Sequence, residues 1–459
     1  MRKYLNSDSM SIIEVGSSQG GARPADADRC NLRTALLYVA VMTAFVSARA
    51  NDNWPQWRGP EGNGTSDSKN LPTEWSTNKN VIWKTDLPSW SGATPIVWGD
   101  RIFVTSPSKS ESNPTTASQE ERQGGGRFGG GGSYGVSDPG GNTLLLICIS
   151  KRDGKILWQQ ELDKGNRLYR KQNATSPSPV TDGKSVWVVT GNASVTAFDM
   201  EGKKIWSRNL RDDYGKFALN WGYASSPILV DGKLIIEVLQ GSGAGGSYLV
   251  AFDGATGKEV WKKERKTDAI RESPDAYTTP AVLVHDGKKQ IVVNGGDYVT
   301  ANDAITGDEV WRASGLNPRR NQNYRIIASV TVKDGMIFAP TRVKPLLALR
   351  AGGMGDVTES QLAWKYEAEG APDVPSPTSD GTYFYMVSDN GSITCLESKT
   401  GKRVWGPERT AVGTVSASPL LADGKIYITN EKTVTTIVAA GPEFKTVATN
   451  QLDDSYTLS

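Results

Sequence analysis

Histidine occurs once in this 459-residue sequence, at position 285, and cysteine three times, at 30, 148 and 395. So few soft ligands exclude a structural zinc site, which gathers four Cys or His side chains at close spacing. No two cysteines are adjacent, and no C-x-x-C-H haem attachment sequence occurs. An excess of charge of one sign is missing too, with 52 Lys and Arg against 50 Asp and Glu. A chain so balanced has no net field to draw nucleic acid or an anionic membrane, and neither is expected as a partner. Long apolar runs are absent except for Ala35–Ala48, ALLYVAVMTAFVSA. That run is too short to span a bilayer, which takes about 20 residues. Arg29 and Arg33 precede it and Ala48-Arg49-Ala50 follows it, the pattern of a secretory signal cleaved after Ala50. Residues 1–50 therefore read as an N-terminal extension and signal peptide. The mature protein is expected to be periplasmic or extracellular, with no transmembrane span. Cys30 lies before the apolar run, so no lipid anchor is predicted on it.

What the sequence has in quantity is glycine, 49 residues, and tryptophan, 14. Both fall in a recurring stretch. Ala251–Trp261 reads AFDGATGKEVW, Ala301–Trp311 ANDAITGDEVW, Cys395–Trp405 CLESKTGKRVW and Cys148–Trp158 CISKRDGKILW, while Ala197–Trp206 is one residue shorter. Each copy has a small residue, a polar or acidic one two later, a turn ending in Gly, and an aromatic on a short apolar run. This predicts a hairpin, strand C turning into strand D through a glycine at positive φ. Trp83, Trp158, Trp206, Trp261, Trp311, Trp364 and Trp405 form the series, with Phe444 standing eighth. Cys148 and Cys395 occupy the small-residue position and are expected to be buried, unpaired thiols.

A second element alternates with the first. A small residue or two, often followed by Pro, begins strand A, and Asp-Gly leads into strand B at 182–183, 231–232, 286–287, 334–335, 380–381 and 423–424. Four antiparallel strands every 40 to 55 residues or so is propeller spacing. The predicted fold is all-β, a β-propeller of the eight-bladed type with seven complete blades and an incomplete eighth. Residues 51–80 are an irregular segment packing on the ring, residues 81–459 the propeller, and 106–142 a Gly-rich flexible insertion. Val81–Lys84 is expected to be an orphan strand D. The D-strand Trp reaches across each blade joint, the small residue leaves it room, and Gly257, Gly307 and Gly401 turn the chain beneath it.

The A-x-D-x-x-T-G-K-x-x-W pattern, clearest at Ala251–Trp261, resembles the tryptophan-docking motif of pyrroloquinoline-quinone (PQQ) repeat β-propellers. Asn53-Trp54-Pro55-Gln56-Trp57-Arg58-Gly59-Pro60 is similar to a stretch of secreted, planctomycete-type members. The resemblance spans about residues 53–459. It implies two activities from its relatives: quinoprotein alcohol dehydrogenases, with PQQ and Ca²⁺ on the axis, and assembly of outer-membrane proteins. The dehydrogenases stack the quinone between a Trp and a vicinal disulfide, and hold Ca²⁺ with Glu and Asn beside a catalytic Asp. With no cysteine pair here, no catalytic residue, metal or cofactor is assigned, and PQQ and Ca²⁺ enter only through the resemblance.

In such a ring the B–C and D–A connections share one face. Trp221, Tyr277, Arg325, Arg342, Lys344, Asp389 and Asn390 fall in them and are the candidate binding residues. Cations converging on a narrowing axis suggest a small anionic ligand, or else pair with Asp275, Asp297 or Asp389. A Ca²⁺ site from Asp297, Asp389 and Asn390 is conceivable on oxygen chemistry alone. The function read from these residues is a binding or scaffold module, monomeric, with a small anionic ligand or a protein partner. A quinone-dependent dehydrogenase and an outer-membrane assembly factor are the alternatives.

Overall fold

A computed structural model describes residues 53–110, 138–169, 171–241 and 245–454, all within one compact unit, Ala50–Ser459. The signal segment and the glycine run at 124–132 lie outside the described residues. Glycines 242–244 and the end of the chain from 455 do so as well.

The Asp-Gly turns behave as their chemistry requires. Asp231 and Gly232 stand at φ 49° and 73° between Ile228–Val230 and Lys233–Val238, a two-residue turn with both central residues left-handed. Asp286-Gly287, Asp334-Gly335 and Asp423-Gly424 repeat it. At 182 and 380 the turn is wider, and the Asp carboxylate accepts the backbone N–H groups two and three residues on. Extended through strands C and D, these hairpins make seven sheets of four antiparallel strands among the described residues, one per predicted blade, two of them carrying a fifth, parallel strand. Blade 1 begins at Ile96–Trp98, blade 2 at Val180–Thr181, blade 3 at Ile228–Val230 and blade 4 at Ala281–His285. Blades 5, 6 and 7 begin at Thr331–Lys333, Thr378–Ser379 and Leu420–Ala422.

Strand register explains the small residue of the motif. Ala251 lies opposite Trp261, Cys148 opposite Trp158, Ala197 opposite Trp206, Ala301 opposite Trp311, Ala348 opposite Trp364 and Cys395 opposite Trp405. A bulge follows each pair. The Trp then leans out of its own blade onto the C–D turn of the next. Nε1 of Trp158 donates to Met200 O at 3.0 Å, that of Trp206 to Gly254 O at 2.8 Å, that of Trp364 to Ser398 O at 2.9 Å and that of Trp405 to Gly441 O at 2.9 Å. Gly257 sits at φ +70° under the Trp206 ring, where a Cβ would come within 2.6 Å of Cδ2. Gly307 and Gly401 meet Trp261 and Trp364 in the same way. Trp311 departs from the rule. Its Nε1 donates to Gln290 of its own blade, and a short strand, Gly355–Asp356, pairs in parallel beside it where the next turn would dock. Cys148 and Cys395 are buried free thiols.

The segment Val81–Lys84 corrects the orphan-strand expectation: it is not a strand, and Ile82 is 93% exposed. No neighbouring strand offers it a ladder. Trp83 nonetheless docks on blade 1 as a D-strand Trp would, donating to Lys151 O at 3.0 Å.

Two features tie the blades together near the axis. From blade 2 to blade 7, the residue two positions before the A strand carries a hydroxyl that accepts from the preceding blade. Thr94 N–H donates to Ser178 Oγ at 2.9 Å, Ser178 to Ser226 at 2.9 Å, Ser226 to Thr279 at 3.0 Å, Thr279 to Ser329 at 2.8 Å, Ser329 to Ser376 at 2.8 Å and Ser376 to Ser418 at 3.0 Å. This belt links all seven blades in order. Its residues explain the Ser/Thr-Pro dipeptides: Pro holds the residue before it extended, with its N–H turned outward to the neighbour. The second feature is a strap, residues 53–66. Trp54 bridges to Val97 of blade 1, Pro55 O accepts from Thr181 of blade 2, Glu61 pairs with Lys333 of blade 5, and Thr65–Ser66 adds a parallel strand to Leu420–Ala422 of blade 7. Arg58, 3% exposed, donates to Asn63 O at 2.6 Å and to Pro377 O of blade 6.

Candidate functional site

Above the belt, the D–A and B–C connections surround an axial pocket of about 480 Å³, within the range of small-ligand sites. Ser178, Ser226 and Thr279 of the belt line it, and the strap contributes Trp57. Because the belt fixes the start of every A strand, the loops above it rise from a rigid base.

Each wall is a set of paired groups. Arg325, on the connection into blade 5, lies 5.2 Å from the Trp221 ring centroid and 3.4 Å from Glu272 Oε1. Glu272 also accepts the Trp221 indole N–H at 2.8 Å. The Tyr277 hydroxyl accepts Trp221 N–H at 3.1 Å, and Gln172 donates to Trp221 O. Arg342, in the blade 5 B–C connection, pairs with Asp373 at 2.8 Å. Lys171 pairs with Glu431, which accepts from Ser416 Oγ at 2.5 Å. Asp389 accepts Val374 N–H at 3.0 Å and belongs to no ion pair among the described residues. Burial, and then the Asp373 carboxylate, push the Asp389 pKa up to about 6, and burial raises that of Asp373.

Of the seven candidates from the sequence, Trp221, Tyr277, Arg325, Arg342 and Asp389 line this pocket. Lys344 does not: it pairs with Glu369 on a neighbouring groove formed with Asn317, Arg319 and Pro345. Nor does Asn390, whose Oδ1 accepts from Ser388 Oγ and Ser392 N within its own turn. The expected ion partners are also corrected. The three cations pair with Glu272, Asp373 and Glu369 rather than Asp275, Asp297 and Asp389. Asp275 instead accepts the backbone of Gly241 and Asn220, and Asp297 accepts Ser273 and Asn317. These two carboxylates tie neighbouring loops together, so their oxygens are already engaged. Sequence reasoning missed Trp57, Tyr169, Lys171, Gln172 and Asp373. The last four lie in D–A connections, the criterion that found Trp221, but without a neighbouring pattern to single them out.

The residues do not fit the quinone-and-calcium arrangement that the resemblance implies. No Glu or Asn lines the pocket, and its two carboxylates are Asp373, held by Arg342, and Asp389. Among the described residues no three His, Cys, Asp or Glu side chains group as metal ligands. The proposed oxygen set is split, since Asp297 and Asn390 do not line the pocket, Asp297 being bonded to Ser273 and Asn317 of neighbouring loops and Asn390 within its own turn. Cys148 and Cys395 sit in different blades.

Seven sheets of four antiparallel strands around a ligand-sized axial pocket define the class, a β-propeller built from tryptophan-docked repeats. A family model described as outer membrane protein assembly factor BamB matches residues 141–407 and, overlapping, 353–441; the chain belongs to this PQQ-like repeat family. Among solved structures, quinohemoprotein alcohol dehydrogenase ADHIIG from Pseudomonas putida HK5 is 14% identical with a TM-score of 0.55, over 87% of this chain and 72% of that one. BamB from Moraxella catarrhalis is 16% identical with a TM-score of 0.47, over 67% of this chain and 82% of that one. Similarity at this level speaks for the fold alone. No curated protein sequence matches.

Proposed function

We propose that this chain is a binding module of the periplasm or cell exterior, with the axial pocket as its site and no quinone chemistry of its own. The observation that carries this is the pocket wall, where aromatic side chains and ion pairs are fixed by hydrogen bonds while a calcium donor set is missing. Groups held in place before a ligand arrives lose little freedom on binding, which suits recognition. The Ala35–Ala50 signal pattern supports the location. The test is reconstitution of the mature chain with PQQ and Ca²⁺. We expect no stoichiometric quinone after desalting and no dye-linked oxidation of methanol, ethanol or glucose. A one-to-one quinone complex that turns over dye would overturn the reading.

One observation favours a second reading, assembly of outer-membrane proteins: the description of the matching family. Affinity capture from envelope extracts tests it, and recovery of a β-barrel assembly component would favour it over small-ligand binding.

A further inference from the structure

We infer that the axial pocket takes a neutral, polyhydroxylated ligand, a mono- or disaccharide, rather than an anion. This rests on the binding reading above and narrows it.

The first argument is charge. Among the described residues three cations line the pocket, and each has a carboxylate against it: Lys171 with Glu431, Arg325 with Glu272, Arg342 with Asp373. A fourth carboxylate, Asp389, lines the wall outside any ion pair among the described residues, with Lys171 and Arg342 acting on it only at longer range. An anionic ligand would have to displace a carboxylate already bonded in a part-buried site, or lie against Asp373 and Asp389. Either course loses existing pairing or sets like charges against each other.

The second argument is the kind of surface left. Trp57, Tyr169, Trp221 and Tyr277 line the same pocket. The Trp221 ring is held by an indole hydrogen bond and by Arg325 over its face, and Tyr169 is seated against the Gly222 backbone, where a Cβ would stand 2.5 Å from its ring. Fixed aromatic rings offer apolar area at low entropic cost. Beside them, the Arg342–Asp373 pair presents donors and an acceptor next to one another, and Lys171 adds a further donor. A vicinal diol needs this arrangement, since each hydroxyl both donates and accepts. A pyranose has the matching two-sided chemistry, with C–H faces for the rings and hydroxyl edges for the ion pairs.

Ligand-observed saturation-transfer NMR on the mature chain tests the proposal, with cellobiose, maltose and lactose as neutral probes and glucuronate and citrate as anions. The expected result is transfer to the ring C–H protons of at least one neutral probe, with at least tenfold weaker binding of the anions. Trp221→Ala should abolish the signal and Trp221→Phe should keep part of it, while both retain the wild-type thermal midpoint within a few degrees. Asp373→Asn frees Arg342 and should move selectivity toward the anions by about tenfold. Tighter, salt-sensitive binding of glucuronate or citrate to the wild type would overturn the neutral class while leaving a binding pocket in place. No transfer from any neutral probe also overturns it. Stoichiometric PQQ with turnover would instead remove the binding reading beneath it.

Discussion

Glu237 shows how a single side chain can carry a pH signature in an otherwise apolar joint. It lies on the second strand of blade 3, fully buried, with Oε1 accepting from Thr278 Oγ1 at 3.0 Å and Oε2 without a hydrogen-bond partner. Burial dominates and raises its pKa from 4.5 to about 8, against the opposing pull of Arg265. An acid with a raised folded-state pKa keeps its proton in the native protein after the unfolded chain has lost it. Its contribution to stability is therefore fully present below 4.5, falls as pH rises, and levels off above about 8. Glu237→Gln, which cannot ionise, should escape that decline. We expect the variant to gain roughly 3 kcal/mol on wild type between pH 5 and pH 8 in urea denaturation. Parallel curves for the two proteins would show that Glu237 does not titrate in this range.

At the scale of the blade, what matters is how repeats are joined. The belt hydroxyls are buried, so deleting one leaves a buried N–H without its acceptor. Ser329→Ala removes the partner of Thr279 N–H and should cost about 1–3 kcal/mol, with Ser329→Thr restoring most of it in chemical denaturation. A loss below a few tenths of a kcal/mol would mean water replaces the bond. The docking Trp residues, the Asp-Gly turns and the small residue opposite each Trp were all legible in the sequence, because each leaves a local pattern at fixed spacing. The belt was visible only as a taste for Ser or Thr before Pro, since its bonds join residues 42 to 84 positions apart. The candidate site was half legible for the same reason. Loops could be assigned to the correct face, which found Trp221, Tyr277, Arg325, Arg342 and Asp389, yet pairing across loops has no sequence period. Arg342 meets Asp373 and Lys171 meets Glu431 only because the ring closes them together. Trp83 is the converse case: its motif predicted a strand, and only its docking contact survives.

For the whole molecule, the strap ties blades far apart in the sequence to one another. It touches blades 1, 2, 5, 6 and 7 and covers the inner edge of blade 7 with Thr65–Ser66, so that this edge is not left as a template for other chains. A mature chain lacking residues 51–66 should elute as higher oligomers on size-exclusion chromatography; elution as a stable monomer would show that the edge needs no cover. Arg58 is the strap's anchor, buried with a guanidinium that bonds backbone carbonyls, and burial lowers its pKa to about 9. The strap also sets an order in time. Thr65 pairs with Leu421, and Arg58 bonds to Pro377, 319 residues further along. Chain made and delivered from its N-terminal end therefore brings out the strap first and its partners last. Local blades can form as they appear, and the strap can meet blades 1 and 2 early, whereas its contacts with blades 5, 6 and 7 must wait for those to arrive. Contacts of such sequence separation are slow to form. The final step in folding this ring falls to its earliest residues, and the axial pocket, to which Trp57 belongs, is complete only then.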